Sequence, residues 1–111
     1  MKLLVFVLNK NDKLEKLLKE FSNNEITGAT IINSKGMARV LLNKEFEGIF
    51  GSLRYLINGD KEDNKTIFVV VKDEMIQLVI ETIEKAVGSL DEPDTGILFT
   101  IPLDYIRGFK H

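Results

Sequence analysis

Within the stretch 26–39, ITGATIINSKGMAR, two cations bracket a glycine in the run Lys35-Gly36-Met37-Ala38-Arg39. A glycine lets the main chain approach a bound group, and the lysine and arginine beside it supply positive charge. At the end of a buried strand such a turn suits a phosphate or another small anion, with an ordinary basic turn as the bland alternative. A second cluster, Asp91, Glu92 and Asp94, lies in a loop with Pro93. It offers the oxygen ligands that Mg²⁺ or Ca²⁺ takes, although a solvated acidic turn is commoner. His111 is single and last in the sequence, a poor basis for a metal or catalytic role. No Ser, His and acid arrangement can be built without it, and no glycine motif of the P-loop type occurs, so the chain is read as non-enzymatic.

The whole chain sets the bounds within which those residues act. At 111 residues it is expected to form one domain, 1–111, with a single core. A hydrophobic content of 44% beside 29% charged residues is that of a soluble globular protein. The net charge of -2 provides no global positive field, and Lys and Arg do not cluster with aromatics on one element. Nucleic-acid binding is therefore not expected. The absence of cysteine removes disulfides and thiolate metal sites and fits a reducing cytoplasm. The apolar run Leu3 to Leu8 stops at Asn9-Lys10-Asn11-Asp12 without a small-residue cleavage pattern, and no stretch is long enough to span a bilayer. A cytoplasmic protein without direct membrane insertion is expected.

The elements that must position the candidate residues can be read in order. Leu3 to Leu8 reads as a buried strand. Asp12, with Glu15 three residues on, has the pattern of a capping box opening a helix. Leu14, Leu17, Leu18 and Phe21 form that helix's apolar side, and Ser22-Asn23-Asn24 ends it. Thr30 to Ile32 is β-branched and reads as strand, with Asn33 and Ser34 favouring a turn or an irregular edge. Arg39 to Leu42 reads as a further extended piece. Thr66 to Val71 is the strongest strand signal in the chain. Asp73 is positioned to cap a second helix whose face carries Ile76, Val79, Ile80, Ile83 and Val87, with Gly88 just past its end. Thr95 to Ile101 is the last strand, stopped by Pro102. Two β-α-β units in tandem predict an α+β, ferredoxin-like fold: an antiparallel four-stranded sheet with both helices on one face. Strands this apolar would leave the other face needing cover, which predicts an oligomer. Between the halves, 43–64 is long for a loop. Phe46, Ile49, Phe50, Leu53, Leu56 and Ile57 recur there at helical spacing, followed by the charged tip GDKEDNK.

In its opening Met-Lys-Leu-Leu-Val-Phe, its ITGATIINSKGMAR stretch and its TGILFTIPL strand, the chain resembles the PII signalling superfamily, in the family's order and over nearly its whole length. The resemblance implies a homotrimer of ferredoxin-like subunits that acts as a regulatory protein. Segment 43–64 would be the T-loop that engages a target, such as a transporter or a metabolic enzyme. ATP or ADP would sit in clefts between subunits, contacted by Lys35, Gly36, Met37 and Arg39. The B-loop that wraps the phosphates would run from Gly88 to Thr95, with Gly88 and Gly96 among the contacts, and Arg107 and Lys110 would stand for the C-terminal pair of phosphate-binding arginines.

The sequence departs from that pattern at several points. The B-loop reads Gly88-Ser89-Leu90-Asp91-Glu92-Pro93-Asp94-Thr95, with three acids and no lysine, and like charges oppose a triphosphate. Ala38 replaces the second glycine of the basic turn, Val40 follows Arg39 in place of a glutamine, and Arg107 lies one step from a gap-free match. Tyr55, the one candidate for the tyrosine that some members modify, is flanked by Leu53 and Leu56 as if for packing. The chain therefore reads as PII-like rather than as a standard nitrogen regulator, and nucleotide binding of the familiar kind is not expected. The alternative is a structural or metal-linked trimer like the CutA proteins, which share the fold, with 43–64 sealing the cleft.

Overall fold

A computed structural model describes residues 1–37 and 64–110 of the chain. The extended piece expected at Arg39–Leu42, nearly all of segment 43–64, Tyr55 and His111 lie outside the described residues. The strands are β1 (Lys2–Leu8), β2 (Ala29–Ser34), β3 (Asn64–Val71) and β4 (Gly96–Pro102); the helices are α1 (Leu14–Asn23) and α2 (Ile76–Val87). The strands form one sheet in the order β2-β3-β1-β4, and every neighbouring pair is antiparallel. This is the ferredoxin-like arrangement that the tandem β-α-β pattern predicts.

The register sorts the side chains into two layers. Leu4 and Phe6 lie opposite Val69 and Ile67 and share one face with them and with Leu8 and Val71, because side chains alternate along each strand. Against that face α1 places Leu17 and Phe21 and α2 places Val79, Ile83, Ala86 and Val87, all in one buried cluster. Leu4, Phe6, Leu8, Leu17, Ile67, Val79 and Ile83 have no exposed surface. The hydrophobic term near 25 cal/mol per Å² acts chiefly here.

The other face is apolar too. Thr30, Phe68, Val5 and Phe99 make one cross-strand row, Ile32, Thr66, Val7 and Ile97 a second, and Val70, Leu3 and Ile101 a third. Val5 is only 5% exposed although it lies opposite the helices, because Phe68 and Phe99 flank it. Ile97 at 60%, Phe99 at 43%, Ile101 at 45% and Ile32 at 46% remain in contact with solvent. An exposed apolar layer of this extent marks an interaction surface.

Both helix starts differ from the capping reading. Asn11–Lys13 forms a 3₁₀ turn, and α1 begins after it with Lys13 at the cap position and no side-chain cap bond. Lys13 N–H donates to Lys10 C=O at 2.9 Å and Leu14 N–H to Asn11 C=O, so the turn satisfies a donor, that of Leu14, that Asp12 was expected to take. Asp73–Met75 repeats the device before α2, with Met75 N–H donating to Lys72 C=O at 2.9 Å. The carboxylate of Asp73 turns instead to the N-terminal amine, 3.0 Å away. At the other end of α1, Ile26 N–H reaches back to Phe21 C=O at 2.8 Å with Glu25 at φ 60°. That is a Schellman closure with a non-glycine residue in the left-handed position. Asn33 and Ser34, expected at a turn or irregular edge, stay within β2 and pair with Lys65 and Asn64.

Candidate functional site

The basic turn hangs from the end of β2. Ser34 Oγ and Thr66 Oγ1 lie 2.7 Å apart, and Lys65 Nζ donates to Asn33 Oδ1, so the last two residues of the strand are tied to β3 by side chains as well as by the ladder. Lys35 and Gly36 follow, both half-buried, and Met37 is 77% exposed. A Cβ placed on Gly36 would stand 3.1 Å from Asn64 Nδ2, so glycine here permits the chain to pass close to the buried Asn64. Arg39 lies outside the described residues.

Gly96 opens β4 on the opposite edge of the sheet. A Cβ there would stand 2.3 Å from the Val7 carbonyl oxygen and 2.8 Å from a ring carbon of Phe6, and its φ is +153°. Close packing of β4 on β1 is thus sufficient reason for glycine at this position. Thr95, just before it, is fully buried; its C=O accepts from Asn9 N–H at 3.1 Å, and its hydroxyl has no hydrogen-bond partner among the described residues.

The loop between α2 and β4 is closed on itself. Gly88, at φ 98°, ends the helix with its N–H on Glu84 C=O at 2.9 Å. Leu90 N–H donates to the Glu84 carboxylate at 3.0 Å, Asp91 N–H to Ser89 Oγ at 3.1 Å, and Glu92 N–H to Ser89 C=O at 3.1 Å. Leu90 also packs its side chain against the core. Sequence reasoning missed Glu84, which sits on the polar side of an amphipathic helix. The Ser89–Asp91 contact has a known local signature, a serine hydroxyl accepting from the amide two residues on.

The C-terminal tail leaves β4 at the end of the sheet where Leu103 N–H donates to Met1 C=O at 3.2 Å. Arg107 and Lys110 are exposed along it. Phe109 and Lys110 border a cleft of about 570 Å³ whose other walls include Ile26, Gly28, Val71 and Lys72. Nearby, the hydrogen bond from the N-terminal amine holds the Asp73 carboxyl below its ordinary value, opposed by partial desolvation and helped by Lys2 at 3.9 Å.

The expected site residues therefore do not converge within one chain. Lys35-Gly36 and Gly96 share one end of the sheet but belong to its two edges, the former following β2 and the latter opening β4, separated by three strand spacings or about 14 Å. Arg107 and Lys110 belong to the tail that starts from the opposite end, about 20 Å away along seven-residue strands.

The family model for the nitrogen regulatory protein P-II matches residues 1–109. The chain belongs to that family. No individual curated protein matches it. As a P-II protein it falls among regulatory, signal-transducing proteins, and its four-stranded antiparallel sheet with two helices agrees with that assignment. Among the described residues no helix is long and apolar enough to cross a membrane, and no group of three or more His, Cys, Asp or Glu side chains could hold a metal ion.

Proposed function

We propose that this P-II protein is a non-enzymatic signalling homotrimer of the cytoplasm. It senses a small anionic ligand in clefts between subunits and reports the ligand to a partner protein through segment 43–64. The observation that carries the reading is the outer face of the sheet, where Phe99, Ile97, Ile101 and Ile32 are apolar and exposed. Burying that face between copies would bring the edge strand of one subunit toward its neighbour. The scattered placement of Lys35, Gly96 and the Arg107–Lys110 tail supports a site that only two subunits complete.

In this reading Lys35 and Arg39 supply charge from the basic turn, Gly36 and Met37 the close main-chain contact, and Arg107 and Lys110 charge from the neighbouring tail. An adenine nucleotide, ATP or ADP, is the ligand the family suggests. The partner would be a target such as a transporter or a metabolic enzyme. Ligand contacts at the base of 43–64 would select one conformation of that segment, an order–disorder switch. Membership of the regulatory family favours this reading over a structural, CutA-like trimer.

The test is a thermal-shift screen of the purified chain against ATP, ADP, AMP, inorganic phosphate and small carboxylates, read beside sedimentation. A ligand at about a hundred times its Kd adds about 2.7 kcal/mol of stability. The expected result is a shift with at least one anion that disappears in Arg39→Ala while the sedimenting species stays a trimer. No shift with any anion, or one that survives in Arg39→Ala, would refute the sensing role.

A further inference from the structure

A loop that wraps phosphates does so with unspent main-chain N–H groups that converge on the ligand. In the loop from Gly88 to Thr95 four of those donors are already committed. The amides of Gly88, Leu90, Asp91 and Glu92 each donate within the chain, and Pro93 has none to give. The acceptor for Leu90 is itself an anion, the Glu84 carboxylate at 3.0 Å. The loop cannot simply swing open to release these amides, because the Leu90 side chain is packed against the core. Its electrostatics point the same way. The C-terminal end of α2 carries partial negative charge, and Asp91, Glu92 and Asp94 are exposed on the loop that follows. The nearest cation in sequence, Lys85, reaches across to Glu20 at 3.6 Å on α1. Ile97, the residue after Gly96, contributes an exposed apolar side chain and no charge.

The polyphosphate of a nucleotide therefore does not fit this loop. We infer that Glu84 is a built-in anion that occupies the Leu90 amide in place of a phosphate, so that the ligand of this chain is a small anion gripped by side-chain cations and not a nucleoside triphosphate wrapped by the loop. The inference narrows the ligand class and rests on the anion-sensing reading above. Glu84 acts here as a positioning residue: it fixes the loop and meets no ligand.

The experiment follows backbone amides by NMR in the ¹⁵N-labelled full chain, for the wild type, Glu84→Gln and Glu84→Ala. In the wild type the Leu90, Asp91 and Glu92 resonances should stay unmoved by magnesium-ATP or inorganic pyrophosphate up to about 10 mM, a limit weaker than millimolar affinity. Leu90 hydrogen exchange should accelerate about tenfold or more in Glu84→Ala, where no acceptor remains, and much less in Glu84→Gln, which keeps a carbonyl oxygen. Saturable movement of the three amides with ATP or pyrophosphate would overturn the inference. So would unchanged Leu90 exchange in Glu84→Ala. The Gly36 amide serves as an independent reporter: if inorganic phosphate and small carboxylates leave it still, the anion-sensing role fails, while the closed loop is judged on Leu90 to Glu92 alone.

Discussion

Replacing Gly96 with alanine sets the packing of β4 on β1 against the alternative that this glycine exists for a ligand. The added Cβ would stand 2.3 Å from the Val7 carbonyl oxygen and 2.8 Å from the Phe6 ring. Neither neighbour can yield easily. Phe6 is fully buried in the core, and Val7 is paired with Ile97 in the β1–β4 ladder. Overpacking of this kind costs about 1–3 kcal/mol. Forcing a Cβ onto a backbone at φ +153°, a region left almost wholly to glycine, adds roughly 1–3 kcal/mol. The combined loss of about 2–6 kcal/mol is a large share of the 5–15 kcal/mol typical of a folded protein. Even the lower end corresponds to a fall in Tm of about 8 °C or more for a domain of this size. The assay is thermal unfolding followed by circular dichroism, at matched protein concentration because assembly ties Tm to concentration. A variant melting within about 3 °C of the wild type would refute the close approach of β4 to β1. If the same variant also lost its response to anions, glycine would be required for ligand contact instead.

Two further predictions address the surface. Phe99→Asp places a charge in the middle of the outer apolar face, where Phe99 is 43% exposed and paired with Val5. If the proposed homotrimer is held through this face, the variant should sediment as a folded monomer; sedimentation and stability unchanged from the wild type would remove that face from the interface. Asp73→Asn tests the ion pair with the N-terminal amine. The folded-state pKa of Asp73 lies below the ordinary 3.8, so its contribution is present above that value and is lost as pH falls through the lower, folded one. Wild type and variant should therefore differ in chemical-denaturation midpoint at neutral pH and converge as the pH falls well below 3.8. A gap that persists unchanged into acid would mean that Asp73 acts through something other than its charge. The effect should be small, since the carboxylate is 62% exposed.

The fold was legible because its signals are periodic and mutually consistent. Leu3–Leu8 and Thr66–Val71 could pack only as strands covered on one side at least, and α1 and α2 show their buried stripes at Leu17 and Phe21 and at Val79, Ile83 and Val87. Helix starts were less legible. Asp12 and Asp73 have the chemistry of a cap, but a 3₁₀ turn closed by a single main-chain hydrogen bond does the same work and leaves no distinctive residue pattern. The candidate site was legible only as residue types. Nothing in the spacing of Lys35, Gly96 and Lys110 shows that they lie on different edges and ends of one sheet, since that depends on strand order. Glu84 was invisible for a related reason: its partner is a main-chain amide six residues on, and any residue but proline supplies one.

The position of β1 in the sheet has a consequence for how the protein is made. Its first strand is an inner one, bonded to β3 on one side and to β4 on the other. A nascent chain therefore holds the apolar run from Leu3 to Leu8 without its second neighbour until the residues up to Pro102 have been added. At about 5–20 residues per second that interval is roughly 5–20 s. The sheet cannot close until β4 has been made, so its completion comes late in the synthesis of this domain. Long-range pairing of this kind also slows folding itself. The first strand is the segment most in need of protection during synthesis, and polar changes on its outward-facing residues Leu3 and Val7 would alter yield in cells before they altered the finished fold.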